Sequence, residues 1–417
     1  MRLAATRINL TWGAKVEALP KIEDLNVRGR KVFVRVDMNV PVEKGDGPEP
    51  VIMDATKIEQ AAATLRELLD NGAAVVVGTH QGRPGSPDFI STEAHAKILS
   101  QILEMDVQWT DSVVGSAARE KIRDLEPGEL LMLENLRFHS EENLEDEPEK
   151  LVRTHMIRRL APLFDAYVDD AFQAAHRSQP SLVAFPLLLP SAAGKLLVTM
   201  LRELAEIHKV QGRRVFALGG AKLEDKIRVL DASLRGGLVD LVITGGLLGV
   251  LMAEAAGNKI PSTAATYKRR EILLPAAKRL LTEFQDKILY PVDFVVWDPD
   301  TDEISHAPVY NVPEGKVIVD VGPGTTGIYA DAVADSDIVV ANGPFGMFED
   351  PRFRKGTLDF VRSCSRAKKE VVFCGGHLSV AAKMVGLEEG RIYTAGGAIL
   401  YALSGLPLPA VDVLLRR

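Results

Sequence analysis

Cysteine is scarce in this sequence. Its 417 residues include two, Cys364 and Cys374, at a spacing that fits neither a metal knuckle nor a redox pair. So few thiols in so long a chain argue against a disulfide framework and point to a reducing compartment, read here as the cytoplasm. Long apolar runs are also missing. The most apolar stretch, 182–201, is interrupted by Pro186, Pro190, Gly194 and Lys195, which argues against a membrane span. Residues 1–12 carry Arg2 and Arg7 without an apolar core, so no signal peptide is expected. Positive charge is in deficit, with 50 Lys and Arg against 57 Asp and Glu and a formal net charge of -7. That balance argues against a general binder of nucleic acid or anionic membrane, and it obliges any anion site to gather its cations locally. Neither the Walker pattern GxxxxGK[ST] nor the dinucleotide fingerprint GxGxxG occurs, which argues against a P-loop NTPase and an NAD enzyme. HExxH, CxxC and Ser-His-Asp arrangements are lacking too. The 8 histidines show no ligand spacing, so hydrolase and structural-metal readings lack support.

What the chain does contain is an ordinary globular composition, 46% apolar and 26% charged. Its length allows two or three domains at roughly 150 residues each. Short β-branched runs alternate with helical patterns. Strands are expected at 31–36, 73–78, 130–133 and 167–169, then at 215–218, 241–244, 294–297, 317–320, 338–340 and 371–373. Amphipathic stretches such as 58–69 and 92–103 separate them. Apolar runs buried on both faces and separated by helices indicate parallel sheets. The expected class is α/β, with two doubly wound, mainly parallel-sheet (Rossmann-like) domains joined by an interdomain helix and hinge. The boundaries read as an N-terminal domain over 1–188, an interdomain helix over 189–208, a C-terminal domain over 209–403 and a tail over 404–417 that packs back on the first domain. The helical pattern itself spans 192–208, and an ordinary surface helix is the alternative reading.

In open α/β sheets, ligands bind beyond the carboxyl ends of the strands. In the first half those ends carry basic and polar residues. Val36 leads into Asp37, Met38 and Asn39, and Gly78 into His80, Gln81, Gly82 and Arg83. Leu133 leads towards Arg137, and Asp169 towards His176 and Arg177. Lys57 heads the first helix. If the strands are neighbours, these residues form a basic crevice for a small polyanion, because arginine forks suit carboxylate and phosphate oxygens. A structural salt bridge is the alternative for each arginine singly. In the second half the segments are glycine-rich and almost uncharged: Gly219-Gly220-Ala221-Lys222, Gly245-Gly246, Gly322-Pro323-Gly324, Gly343-Pro344-Phe345-Gly346, Gly375-Gly376-His377 and Ala395-Gly396-Gly397-Ala398. Glycine turns admit phosphates to backbone N–H groups, so a slot for a nucleotide is expected. Lys222 and Lys226 are spaced one helical turn apart, within reach of a transferring phosphoryl group.

The segments Arg35-Val36-Asp37-Met38-Asn39-Val40-Pro41, His80-Gln81-Gly82-Arg83-Pro84, Leu133-Glu134-Asn135-Leu136-Arg137-Phe138, Asp170-Ala171-Phe172 with Ala175-His176-Arg177, Gly219-Gly220-Ala221-Lys222 with Asp225-Lys226-Ile227, and Asn342-Gly343-Pro344 with Phe348-Glu349 resemble phosphoglycerate kinases over nearly the full chain. His80-Gln81-Gly82-Arg83 and Gln179-Pro180-Ser181 look like the archaeal branch. The resemblance implies reversible phosphoryl transfer between ATP and the carboxylate of 3-phosphoglycerate, in glycolysis and gluconeogenesis. It implies a first domain that binds 3-phosphoglycerate through Asp37, Met38, Asn39, Lys57, His80, Gln81, Gly82, Arg83, Arg137, His176 and Arg177. The implied nucleotide ligands are Gly220, Lys222, Lys226, Gly245, Gly246, Asn342, Pro344, Glu349 (for the ribose), Gly375, Gly376, His377 and Leu378. Lys57 and Lys222 are the implied catalytic pair. ATP or ADP is the co-substrate. A monomer is expected, with no nucleic-acid or membrane partner.

Three positions depart from the family pattern. Lys57 stands where family members have an arginine that stabilises the transferring group, and lysine keeps the charge without the fork. Thr199 stands where a lysine is usual, with Arg202 three residues on. His377 replaces an aspartate that helps to hold magnesium. Imidazole is a poor ligand for Mg²⁺, so the ion is expected to be held mainly by nucleotide phosphates, with no protein metal ligand. The alternative these departures raise is a catalytically weakened paralogue that acts as a ligand-binding sensor or scaffold.

Overall fold

The computed structural model describes residues 11–44, 50–387, 392–393 and 396–416. The expected lack of a signal peptide, which concerns residues 1–12, and the glycine segment at Ala395 fall wholly or partly outside them. The chain divides into two compact units, Met1–Glu206 with Pro407–Arg417, and Ile207–Leu406.

The first unit contains β1 (Lys31–Val36), β2 (Val42–Lys44), β3 (Pro50–Ile52), β4 (Ala74–Gly78), β5 (Val107–Trp109), β6 (Leu130–Met132), β7 (Ala166–Asp170) and β8 (Ser191–Ala193). Six of them form one sheet in the order β5-β6-β4-β1-β7-β8, parallel throughout. β2 and β3 pair as a separate antiparallel hairpin. The central strand β1 reads Lys-Val-Phe-Val-Arg-Val, and β4 is buried along its length. Both faces of this part of the sheet are therefore covered, as parallel sheets require. On one face Val32, Val34, Val36, Val75 and Val77 pack with Ile58, Leu65 and Leu99 of the helices Thr56–Asp70 and Glu93–Leu103. On the other, Phe33 lies against the rings of Phe164, Tyr167 and Phe185. The tail helix Pro409–Leu414 belongs to this unit. Ala410 donates its N–H to the Ala175 carbonyl at 3.2 Å, and Lys15 pairs with Asp412 at 2.9 Å.

The second unit contains β9 (Arg214–Leu218), β10 (Leu241–Thr244), β11 (Ile288–Leu289), β12 (Asp293–Trp297), β13 (Ile304–Pro308), β14 (Val317–Val321), β15 (Ile338–Asn342), β16 (Glu370–Cys374) and β17 (Ile392–Tyr393). Its parallel sheet runs β11-β10-β9-β15-β16-β17. The expected strands at 294–297 and 317–320 are not part of it. They form, with β13, a separate antiparallel sheet in the order β13-β12-β14. The burial of β12 alternates residue by residue, the mark of a sheet with one face towards water. Gly322-Pro323-Gly324 therefore follows a strand of the antiparallel sheet and not of the parallel one.

The helix expected over 192–208 begins later, at Lys195, because 191–193 completes the first sheet as β8. The buried carboxylate of Asp170, at the end of β7, accepts the Leu197 N–H at 3.0 Å and anchors the start of this helix. Gly194 makes the approach possible, since a Cβ there would lie 2.3 Å from Asp170 Oδ1. Among the described residues no helix is long and apolar enough to cross a membrane. Gly194→Ala is expected to lower stability by about 1–3 kcal/mol through overpacking. Chemical denaturation checks this, and an unchanged midpoint would show that the helix start yields without cost.

Candidate functional site

The strand order makes β6, β4, β1 and β7 consecutive neighbours, so the four basic and polar segments that follow them share one edge. Asp37, directly after β1, is nearly buried. Its Oδ1 accepts the Asn39 N–H at 3.0 Å and faces Lys57 Nζ at 3.3 Å. Burial alone would raise its pKa, but Lys57, the other cations around it and the Asn39 N–H hold it well below the usual carboxylate range. It is an anion at any working pH.

His80 is buried, and burial drives its pKa well below the ordinary value against the pull of Asp37. Arg35 Nη2 lies 3.1 Å from His80 Nδ1. A guanidinium can only donate, so Nδ1 accepts and the imidazole is neutral with its proton on Nε2. Arg35 itself is fully buried within β1. Its Nε donates to Ser181 Oγ at 2.8 Å, and its guanidinium lies 3.8 Å from Glu142. Glu142 accepts the Ser181 hydroxyl at 2.5 Å and the Ser181 N–H at 3.0 Å. Burial nevertheless raises its pKa.

Arg137 reports how closely the cations gather. Burial first, then repulsion from Arg177, Arg35 and Arg83, bring its pKa down to about 10. Its Nη1 donates to the Gly82 carbonyl at 2.5 Å. The Gly82 N–H in turn donates to Asn39 Oδ1 at 2.9 Å. Gly82 has φ +66, and a Cβ there would sit 2.4 Å from the Asp88 carbonyl oxygen, so only glycine fits. Arg83 is exposed at the rim, Arg177 pairs with Glu145 at 3.1 Å, and His176 is half-buried beside it.

Two expected ligands face the other way. The side chains of Met38 and Gln81 have no exposure. Met38 packs in the apolar core. The Gln81 amide clamps Val40 through its N–H at 2.9 Å and its carbonyl at 3.0 Å, and meets His95 Nε2 at 3.2 Å. Both brace the loop from beneath. Asn135 does the same from the next strand, donating to the carbonyls of Gln81 at 2.7 Å and Ile90 at 2.8 Å.

In the second unit the turns after β9, β10, β15 and β16 share the carboxyl edge of its parallel sheet. Sequence reasoning expected their N–H groups to face phosphates. The Gly219, Gly220, Gly245 and Gly246 N–H groups are instead given to backbone carbonyls of Asn342, Pro344, Leu218 and Phe345 at 2.8–3.0 Å. These glycines allow backbone to pack on backbone. A Cβ on Gly219 would lie 2.3 Å from the Pro344 oxygen, and one on Gly343 2.4 Å from the Gly219 oxygen. The turn after β16 differs. Gly375 has φ +100 and opens the helix Gly376–Met384, whose first N–H groups, on Gly376, His377 and Leu378, have no intrahelical acceptor.

Lys222 stands exposed before the helix Leu223–Arg235, whereas Lys226 is buried inside it. Lys226 Nζ donates to the Asn342 backbone carbonyl at 2.9 Å and to the Asn342 side-chain oxygen. Burial, with Lys222 repelling, lowers its pKa to about 7. Glu349 and His377 pair through Oε1 and Nε2 at 3.0 Å, both well exposed. Thr199 and Arg202 are exposed on the helix Lys195–Lys209.

Sequence reasoning missed the roles of Arg35 and Glu142. An arginine inside an otherwise apolar strand was the available signal for the first, and there was none for the second. It also missed that His139, Glu141 and His155 come together, with ligand atoms all within 4.8 Å of one another.

A family model described as phosphoglycerate kinase matches residues 22–406. The phosphoglycerate kinase of Methanothermus fervidus is 39% identical over 410 residues, covering 94% of this chain and 96% of that protein. That of Sulfurisphaera tokodaii is 40% identical over 403 residues, 95% of each. Among solved structures, the phosphoglycerate kinase of Pyrococcus horikoshii is similar with a TM-score of 0.81 at 34% identity, covering 95% of this chain and 98% of that one.

The Arg35 network yields a stability prediction. Arg35→Met strands the buried Glu142 and is expected to cost about 3–5 kcal/mol, much of it recovered in Arg35→Met/Glu142→Leu. Urea denaturation of both variants measures this. Equal losses in the two would show that Glu142 does not depend on Arg35.

Proposed function

The chain belongs to the phosphoglycerate kinase family, archaeal in type, and from that premise we propose how its residues carry the reaction. It is a kinase that moves a phosphoryl group between ATP and the carboxylate of 3-phosphoglycerate, giving 1,3-bisphosphoglycerate and ADP in glycolysis. Nothing observed favours the alternative of a weakened, ligand-binding paralogue.

The gathering of Arg35, Arg83 and Arg177 near Arg137, with Asp37, Lys57 and Arg137 all acting on His80, carries the residue assignment. The arginines hold the phosphate and carboxylate of the acid, with Asp37, Asn39 and the neutral His80 orienting it. The acceptor carboxylate is ionised at neutral pH, so no general base is needed. Asp37 is too acidic to serve as one. Catalysis is then in-line positioning and cancellation of charge on the transferring group, for which Lys57 and Lys222 are assigned. Closure of the two units on each other for the transfer is part of the reading, since it would exclude water.

On the nucleotide side, the first-turn N–H groups of Gly376, His377 and Leu378 and the ammonium groups of Lys222 and Lys226 are assigned to the phosphates. Glu349 is assigned to the ribose. The slot floor is the close-packed backbone of Gly220, Gly245, Gly246, Asn342 and Pro344. The donor set beside the phosphate end, His377 paired to Glu349, suits Mg²⁺ poorly. The ion that accompanies the nucleotide is assigned to phosphate oxygens and water. The scarcity of cysteine supports a cytoplasmic enzyme.

A coupled assay tests the assignment. Turnover is expected with ATP and 3-phosphoglycerate and not with 2-phosphoglycerate. Lys57→Ala is expected to lower kcat by about 10²–10³-fold with little change in nucleotide affinity. Unchanged turnover would move the charge-cancelling role elsewhere. Lys226 gives a pH signature. In the free protein, a pKa of about 7 leaves it largely neutral at pH 8. Phosphate anions beside it favour the ammonium and raise that pKa. Nucleotide binding should therefore take up a proton between pH 7 and 8, read by calorimetry in buffers of different ionisation enthalpy. Lys226→Met should abolish the uptake, and an equal uptake in that variant would refute the assignment.

A further inference from the structure

His139, Glu141 and His155 take no part in the sites assigned above. They come from two pieces of chain, His139 and Glu141 from one turn and His155 from a later helix. His139 follows the turn Leu136–Phe138, Glu141 lies in the turn Ser140–Asn143, and His155 opens the helix His155–Leu160. The Glu141 carboxylate is fixed in place. Its two oxygens accept the N–H groups of His155 at 3.1 Å and Met156 at 2.8 Å. The imidazoles of His139 and His155 lie nearly parallel, 10° apart in plane with centroids 6.1 Å apart. His139 Nδ1 is 3.8 Å from Glu141 Oε2, too far for a hydrogen bond. That nitrogen is shielded from solvent and has no hydrogen-bond partner. A buried imidazole nitrogen without a partner, facing a held carboxylate, costs free energy that a bound cation would recover.

We propose that His139, Glu141 and His155 form a binding site for one divalent transition-metal ion, with zinc the best match. Two imidazole nitrogens and one carboxylate oxygen suit zinc, cobalt or nickel, whereas magnesium and calcium prefer oxygen alone. Zinc holds such ligands at about 2.0–2.2 Å, which sets neighbouring ligand atoms about 3.4 Å apart. The separations present, up to 4.8 Å, must close by up to about 1.4 Å. The exposed His155 side chain has room to make that movement, and Glu141 is already held by two backbone N–H groups. Three protein ligands leave one tetrahedral position for water. The ion would cross-link the segment that follows Arg137 to the start of the helix His155–Leu160. Glu141 of the His-x-Glu pair lies 14 residues before the second histidine in sequence, a spacing outside the familiar zinc patterns.

The test uses tag-free, chelator-treated full-length protein without nucleotide. Titration with Zn²⁺ in a calorimeter should give one tight site per chain, and Zn²⁺ should raise Tm. Co²⁺ in its place should show the intense visible bands of a four-coordinate ion. His155→Ala should weaken zinc by at least about tenfold and remove those bands, while the metal-free melt and the magnesium-supported turnover stay as in the parent chain. His139→Gln should weaken zinc likewise. Absence of a stoichiometric site would overturn the proposal. So would zinc binding unchanged in both variants, which would assign the ion to other groups, such as His377 with Glu349.

Discussion

A guanidinium without access to water ties the first unit's anion site together. Arg35 sits in the central strand, donates to Ser181 and His80, and balances the buried Glu142. Its donation to Nδ1 sets the tautomer of His80, which therefore presents a donor and no charge. Its positive charge also contributes to the acidity of Asp37 and to the depressed pKa of Arg137. Such a group is costly to bury and costlier to leave unpaired, so the network is all-or-none. The consequence for the proposed substrate site is a set of charges already in place before an anion arrives.

The second unit meets a different constraint. Its glycines let the turns after β9, β10 and β15 stack backbone on backbone, which uses up most of their N–H groups. The N–H groups without an intrahelical acceptor are those of the helix that starts at Gly376, the donors proposed for the phosphates. Lys226, buried and bonded to Asn342, links the turn after β15 to the helix Leu223–Arg235. A cation held near its pKa is one whose charge an arriving anion can complete.

Most of the sheet was legible because long, β-branched runs such as 31–36 and 241–244 have few other solutions. Of the strands of two or three residues, β6 lies in a marked apolar run, whereas β5, β8 and β11 carry too little pattern to detect. The run at 294–297 was legible as a strand but not as antiparallel, since periodicity does not identify a partner. The cations at the strand ends were legible because strand order turns sequence position into proximity. The inward direction of the Met38 and Gln81 side chains was not legible, because adjacency to a polar loop does not say which way a side chain points. Glu142 and the His139, Glu141 and His155 cluster depend on contacts between turns, which leave no trace in local sequence.

The central claim is that fixed charge, with no proton in flight, carries the transfer. The most direct test is the solvent deuterium isotope effect on phosphoryl transfer from ATP to 3-phosphoglycerate in a single turnover. Transfer is expected at the same rate in H₂O and D₂O. A slowing of about twofold or more in D₂O would mean that a side chain moves a proton in the transition state, and would contradict it.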